Sequence, residues 1–427
     1  MKLWRVALCL LVLSGAAWSE PVSLLDQARD AIAEGRLNDA AAALAAVDPK
    51  TVDPNDLDFL AGTLALRRGD NKGAAEHFRA VLARDPTILR VRLDLARALF
   101  FDGDDEGAAY HFRLAQAAGL PPEVQSNVDR FLGEIRRRRH WTLDVLAGIA
   151  PDNNINAATV TKTVNLFGIP FQLDQNAQKS SGIGFVGAVS GGYQFDLDAD
   201  RRLVVGAAAN DLDYEGNRFD DRSAGVFIGP RFILSGDAEV TVKAEANRRW
   251  YAGRPYSWGA GGRIEAEYAL SPRILMSGWF DGQQVTYTQI ALDDGPVFST
   301  GMALTYGLDQ ASFVRGDFTL LREQTSDPAF ADFQYIPGIS YYRDLPAGFG
   351  VLVGANADWA RYDKPLFVFG TTRRDSSASF RLGISNKRIS WLGITPTITY
   401  VHTNRFSDIP LYAFERDRAE FSLNRSF

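Results

Sequence analysis

Residues 141–156 read WTLDVLAGIAPDNNIN, and the fold of the larger part of the chain turns on this stretch. Trp141, Leu143, Val145, Ala147 and Ile149 share one face of an extended segment and Thr142 and Asp144 the other, a period of two that specifies a strand with unlike faces. Pro151 then removes a ladder donor, and Asp152, Asn153, Asn154 and Asn156 tolerate turn and left-handed geometry. The stretch predicts a strand that stops and a long loop over residues 150–180. Asp152, Asn154 and Asn156 also have calcium-loop spacing. Ala157 replaces the glycine such a loop needs, however, and Thr163 its bidentate glutamate, so no metal is expected there.

The same alternation returns downstream. In WGAGGRIEAEYAL (258–270), Trp258, Ile264 and Tyr268 oppose Arg263, Glu265 and Glu267; in VTVKAEANRR (240–249), Val240 and Val242 oppose Lys243, Glu245 and Arg249. A soluble sandwich would alternate too, so three further features decide. Trp258 and Tyr268, like Phe349 and Trp359, stand ten residues apart, roughly 25 Å along a tilted strand, the spacing of aromatic girdles. Connections alternate between tight (LSPR 270–273, LDQA 308–311, NKRI 386–389) and long (TQIALDDGPV, RYDKPLFVFGTT, NRFSDIPLYAFER). The chain ends RDRAEFSLNRSF, with Ala419, Phe421, Leu423 and Phe427 in one register, which resembles the C-terminal signal read by the barrel-assembly machinery, although Arg425 interrupts its apolar face.

Strands are expected near residues 141, 181, 202, 222, 238, 256, 273, 297, 311, 332, 348, 375, 390 and 417. Their number, fourteen, is even, so both ends of the antiparallel transmembrane β-barrel lie on one side. Closure removes the sheet edges and satisfies the backbone in lipid. The opposed charges Lys243, Glu245, Arg249, Arg263, Glu265 and Glu267 then line a wet lumen of both signs. Such a lumen suits a polypeptide passage better than an ion filter.

The segment before the barrel repeats at 34 residues: Gly35, Gly69 and Gly103; Ala40, Ala74 and Ala108; Leu44, Phe78 and Phe112. His77 and Arg79 recur as His111 and Arg113, and Pro86 and Pro121 close two units. The pattern resembles the tetratricopeptide repeat, a stack of helical hairpins with glycine turns and small residues at close approaches, here an α-solenoid capped by a helix over 122–138. In that family's pattern Asp56, Phe59, Thr63, Leu66 and Arg67 line one wall of a concave groove and Arg90, Leu93, Arg97 and Phe100 the next. Helical spacing does not separate groove from packing for Phe59, Leu93 and Phe100. His77 and His111 are expected as surface or packing residues rather than metal ligands.

At the N-terminus, Lys2 and Arg5 precede an apolar run from Val6 to Leu13, with Ala17 and Ser19 at positions a signal peptidase accepts. Three segments follow: an export signal over 1–19, a periplasmic helical domain over 20–139 and an outer-membrane barrel over 140–427. Cys9 is the only cysteine and follows Leu8, so the signal is not a lipoprotein signal and the mature chain has no disulfide. The net charge of −6 argues against nucleic acid as a partner. No enzyme is expected. YVHTN (400–404) has Asn404 where an outer-membrane phospholipase has its serine, and His402 then reads as a rim hydrogen-bonding residue. The basic run Arg136–Arg139 fits either anionic headgroups or a solvated helix end.

Taken together, an export signal, hairpin repeats, RRRRHW and a first strand closing in AP-D-N-N-I-N resemble the surface lipoprotein assembly modulators, the Slam proteins of type XI secretion. The resemblance covers nearly the whole mature chain, and Pro151, Asp152, Asn153, Asn154 and Asn156 carry its most specific element. It implies a barrel that delivers lipoproteins, or in some members soluble proteins, to the cell surface. It also implies repeats that engage the client or its chaperone, outer-membrane lipid and the barrel-assembly machinery as further partners, and no cofactor. A polysaccharide exporter would need more repeats, and a passive porin has no evident use for them.

Overall fold

In a computed structural model, residues 23–138, 140–174, 177–235, 238–389 and 394–426 are described; residues 1–19, expected as an export signal, and Phe427 lie outside them. Among the described residues seven helices come first: α1 (Leu24–Ala33), α2 (Leu37–Ala45), α3 (Pro54–Arg67), α4 (Asn71–Arg84), α5 (Leu89–Asp102), α6 (Asp105–Ala117) and α7 (Pro122–Arg138). The first six form three hairpins whose turns carry Gly35, Gly69 and Gly103 at φ of 77°, 80° and 87°, left-handed backbone that glycine adopts without strain. Asp70 and Asp104, one period apart, cap α4 and α6 by accepting the backbone N–H of Gly73 and Gly107 at 2.9 and 2.8 Å.

The repeated small and large positions make the core. Ala40, Ala74 and Ala108 are fully buried, and Phe78 and Phe112 are buried under them. α7 closes the stack by laying Phe131 against Phe112, ring centroids 5.1 Å apart.

The barrel strands follow: β1 (Trp141–Asp152), then a two-stranded hairpin of β2 (Thr163–Leu166) and β3 (Ile169–Gln172), then β4 (Gly182–Asp196), β5 (Arg201–Tyr214), β6 (Asp221–Ser235), β7 (Ala238–Tyr251), β8 (Arg254–Ser271) and β9 (Ile274–Tyr287). The chain continues through β10 (Gly295–Asp309), β11 (Ser312–Glu323), β12 (Asp332–Asp344), β13 (Phe349–Leu366), β14 (Thr371–Asn386), β15 (Thr395–Ser407) and β16 (Phe414–Ser426). Without the hairpin, fourteen strands close one antiparallel barrel, each paired with its sequence neighbour and β16 returning to β1.

Faces follow the expected alternation. Trp141, Val145 and Ile149 on β1, and Trp258, Ile264 and Tyr268 on β8, are exposed on the outer wall, as are Phe421 and Leu423 near the C-terminus. On the opposite face of β7 and β8, Lys243 donates to Glu265 at 2.6 Å and Arg263 to the same carboxylate at 2.7 Å.

Two expectations need correction. RYDKPLFVFGTT is mostly strand, because β13 runs to Leu366 and β14 starts at Thr371. The connection between β7 and β8, on the long-loop side, is a tight turn in which Ala252 and Gly253 both take positive φ. Loop length alone is therefore a weaker marker of the outer side than the sequence implied.

Candidate functional site

The AP-D-N-N-I-N stretch folds against the other end of the barrel. Asp152, at the end of β1, is buried and faces the lumen, where Arg416 of β16 donates from Nε at 2.8 Å and Tyr214 from its hydroxyl at 3.3 Å. Asn153 exchanges three bonds with Asp417: its backbone N–H donates to the Asp417 carbonyl at 3.1 Å, its side-chain amide to the carboxylate at 2.7 Å, and its Oδ1 accepts the Asp417 N–H at 2.9 Å. Asn154 is fully buried; its amide donates to the carbonyls of Ala158 and Glu415, each at 2.9 Å, and its Oδ1 accepts the Ala158 N–H at 2.9 Å. Asn156 holds the returning loop, accepting the Ser180 N–H at 3.1 Å and donating to the Gln178 carbonyl at 2.8 Å. Ala157 takes φ of 45°, so it does adopt the left-handed turn that glycine would favour.

The stretch is thus a clasp between first and last strands as well as a turn. Its oxygens accept from main-chain amides, an arginine and a tyrosine. The rest of the loop carries the β2–β3 hairpin, whose tip reaches the β13–β14 connection: Phe167 donates its N–H to the Val368 carbonyl at 2.9 Å and packs edge-on to Phe367. On the outer face beside the clasp, Asp417 also accepts from Tyr400 at 2.6 Å and is 2.8 Å from His402 Nδ1. Glu415 completes a His402, Glu415, Asp417 group whose candidate ligand atoms lie within 4.8 Å of one another. His402 is accordingly a hydrogen-bonding rim residue.

A second site lies at the opposite rim, where the hairpin array meets the short turns. Arg92 of α5, 1 % exposed, donates to the Pro86 carbonyl at 2.7 Å, lies 3.2 Å from His111 Nδ1 and sits 3.6 Å from Asp344 at the end of β12. The same carboxylate accepts from Lys387 and Tyr342, both at 2.7 Å, and from Tyr110 of α6 at 3.3 Å; Lys387 also donates to the Tyr110 hydroxyl at 2.9 Å. Gln310 in the β10–β11 turn donates to the Thr87 carbonyl.

Burial drives the His111 pKa well below the ordinary histidine value, and nearby Arg92, Lys387 and Arg79 push the same way, so the ring is neutral. Burial likewise lowers the Arg92 pKa, opposed by Asp344. The corresponding pair one repeat earlier stays inside the array: His77 Nδ1 lies 2.9 Å from Asp58. Thirty-four residues on, arginine stands where that aspartate stood, and its carboxylate comes from the barrel.

These contacts use the start of α5 and the middle of α6 and leave the other face of the array open. Asp56, Arg67, Arg90 and Arg97 are exposed. Arg90 lies over the Phe59 ring at 5.2 Å, and Arg90 and Arg97 approach Asp94 at 3.9 and 3.5 Å. Thr63 donates to the Phe59 carbonyl, while Phe59, Leu66 and Leu93 are half-buried against the core. Phe100 does not line the groove. It is buried 4.9 Å from Phe131, with the Arg138 guanidinium 3.7 Å over its ring. Arg138 also donates to Asp105 at 2.8 Å, which ties this member of the basic run to the array.

The profile of the family described as surface lipoprotein assembly modifier matches residues 141–427, the whole barrel segment. The chain belongs to this family. Surface lipoprotein assembly modifier 1 of Neisseria meningitidis is 26 % identical over 376 residues, covering 86 % of this chain and 75 % of that protein. A hemophilin secretion modulator of Acinetobacter baumannii is 24 % identical over 395 residues, 87 % of this chain and 78 % of its own. Both alignments exceed the barrel in length, so the similarity extends into the helices. Among solved structures, a Pseudomonas aeruginosa FadL homologue superposes at a TM-score of 0.40 with 8 % identity over 75 % of this chain and 93 % of its own.

For a surface lipoprotein assembly modifier, the wall and the lumen matter equally. The exterior is apolar and girdled, as an outer-membrane barrel requires. Inside, charges of both signs pair within and across strands: Arg373 on the same strand and Arg405 on the next each reach Asp375 at 2.6 Å, and Arg202 meets Asp196 across β4 and β5 at 2.9 Å. The hairpin array, the clasp and this lumen lie at one rim, the other rim and between them.

Proposed function

We propose that the protein is an outer-membrane translocation factor that delivers lipoproteins, or soluble client proteins, to the cell surface. In this reading the hairpin array is a tetratricopeptide-type domain in the periplasm that engages a client or its chaperone, and the barrel passes the client outward without enzymatic chemistry. One observation carries it: the array docks on the short-turn rim through the buried Arg92–Asp344 junction, while Asp56, Arg67, Arg90 and Arg97 stay exposed. A groove presented in this way offers both signs of charge to a polypeptide beside the barrel entrance. The names of the relatives, which concern surface lipoproteins and hemophilin secretion, support the same client class.

The test is surface biotinylation of intact cells with the full chain, with residues 24–138 deleted, and with no copy. The reading expects one or a few exported proteins to lose labelling in the last two strains while persisting inside, with barrel insertion retained on deletion. Unchanged labelling in all three would sink it.

A further inference from the structure

The barrel is not closed evenly. β1 and β16 match in a run of six pairs from Asp144↔Ser426 to Ile149↔Phe421, break at Ala150 and Pro151, and regain one pair at Asp152↔Arg418. Two-pair gaps at prolines also interrupt β6–β7 at Pro230 and β12–β13 at Pro337, but among the described residues each other neighbouring strand pair keeps at least eleven matched pairs against seven here, and the two flanking seams, β1 with β4 from Trp141↔Tyr193 to Asp152↔Gly182 and β15 with β16 from Thr395↔Asn424 to Arg405↔Phe414, are unbroken. Pro151 has no N–H to offer, so the gap is written into the sequence. Above it the seam is held largely by side chains: Asp152 to Arg416, Asn153 to Asp417, and Asn154 to the Glu415 carbonyl. A seam short of ladder bonds and closed by side chains opens without unzipping a full strand pair. β1 is also the strand joined to the helical array, α7 ending at Arg138 and β1 starting at Trp141.

The lumen poses a chemical problem that this seam answers. Its walls carry paired charges such as Lys243, Glu265 and Arg263, and acyl chains are unfavourable in a wet, charged channel. A lipidated client crossing through the lumen must therefore return its acyl chains to the bilayer sideways, between two strands. We infer that the β1–β16 seam is the lateral exit for the acylated end of the client, and that Asp152, Asn153 and Asn154 form its outer latch. This inference rests on the translocation reading above.

The mature chain contains no cysteine after the export signal, so engineered pairs report cleanly. Ala147→Cys with Leu423→Cys places two thiols on partner residues across the seam, and Val242→Cys with Ile264→Cys does the same between β7 and β8. Cells carrying each pair are oxidised, surface-biotinylated and then reduced. The labelled proteins scored are the lipoproteins that the deletion comparison identifies, and heat-modifiable gel mobility reports barrel folding.

The expected result is at least a tenfold loss of labelled lipoproteins with the seam locked, recovery on reduction, and wild-type labelling with the β7–β8 pair. Wild-type labelling with the seam locked overturns the lateral exit and leaves the translocation reading standing. Loss with both locks also overturns it, since any rigid wall would then suffice. If no lipoprotein depends on the unmodified protein, the translocation reading falls first and the exit with it. Should the first pair fail to fold, Val145→Cys with Arg425→Cys spans the same seam.

Discussion

Replacing Asp344 with alanine should undock the helical array from the barrel. The carboxylate serves four donors, and their worth differs with exposure. Lys387 is 39 % exposed, so its pair with Asp344 contributes at most about 1 kcal/mol. Arg92 is different: its side chain is 1 % exposed and Asp344 is its carboxylate partner. Removing one member of a buried pair costs about 3–5 kcal/mol, because the remaining charge is left without compensation. The 3.6 Å separation and the surviving bond to the Pro86 carbonyl place this case at the lower end, about 3 kcal/mol. That corresponds to roughly a hundredfold shift in the docking equilibrium.

Trypsin cutting within Arg136–Arg139, at the segment joining the two domains, reads this equilibrium when opening and closing are fast relative to cleavage. Purified full-length protein in lipid should be cut about a hundredfold faster as Asp344→Ala. Asp39→Ala, which breaks only an exposed pair with Arg36, should leave the rate within about twofold. A rate for Asp344→Ala within about threefold of wild type would refute the idea that this carboxylate holds the array.

Acid should act on the same junction. His111 is neutral because its folded pKa lies well below 6.5, so the stability it contributes is fully present above about pH 6.5 and declines as pH falls below it, by up to about 1.4 kcal/mol per unit. Helix melting followed at 222 nm between pH 7.5 and 5 should show that decline, flattened by His111→Gln. Gly62→Ala would put a methyl 2.8 Å from the buried Phe78 ring and should destabilise the helices by about 1–3 kcal/mol, read by the same melt with barrel mobility unchanged. Asn154→Ala leaves the Ala158 and Glu415 carbonyls and the Ala158 N–H without their partner and should cost about 1–3 kcal/mol, measured as faster amide exchange across residues 153–159.

Period was the part of the fold most legible in the sequence. The 34-residue spacing placed Gly35, Gly69 and Gly103 at turns and Ala74 and Phe78 in the core because each position meets the same local environment in every hairpin. Alternation placed Trp258 outward and Glu265 inward for the same reason, since adjacent strand residues point to opposite faces. Partners distant in sequence were not legible. Asn153 shows itself as a turn residue, yet its bonds run to Asp417, 264 positions away, and only barrel closure brings the two together. Phe100 has helical spacing compatible with a groove, and the arrival of α7 is what buries it. Arg92 offered a readable signal in retrospect: it breaks the register that pairs Asp58 with His77. A charge reversal at a repeat's internal contact marks the unit that faces something other than its own kind.

That reversal also sets the direction in which such a molecule grows. The docking contacts come from α4 and from the last hairpin before the capping helix, so additional 34-residue hairpins inserted upstream of α1 would lengthen the groove without touching the barrel contact. Insertion between α6 and α7 would instead separate Phe112 from the Phe131 that covers it. The length of the array and its attachment to the barrel are thereby independent variables, adjustable at opposite ends of one short array.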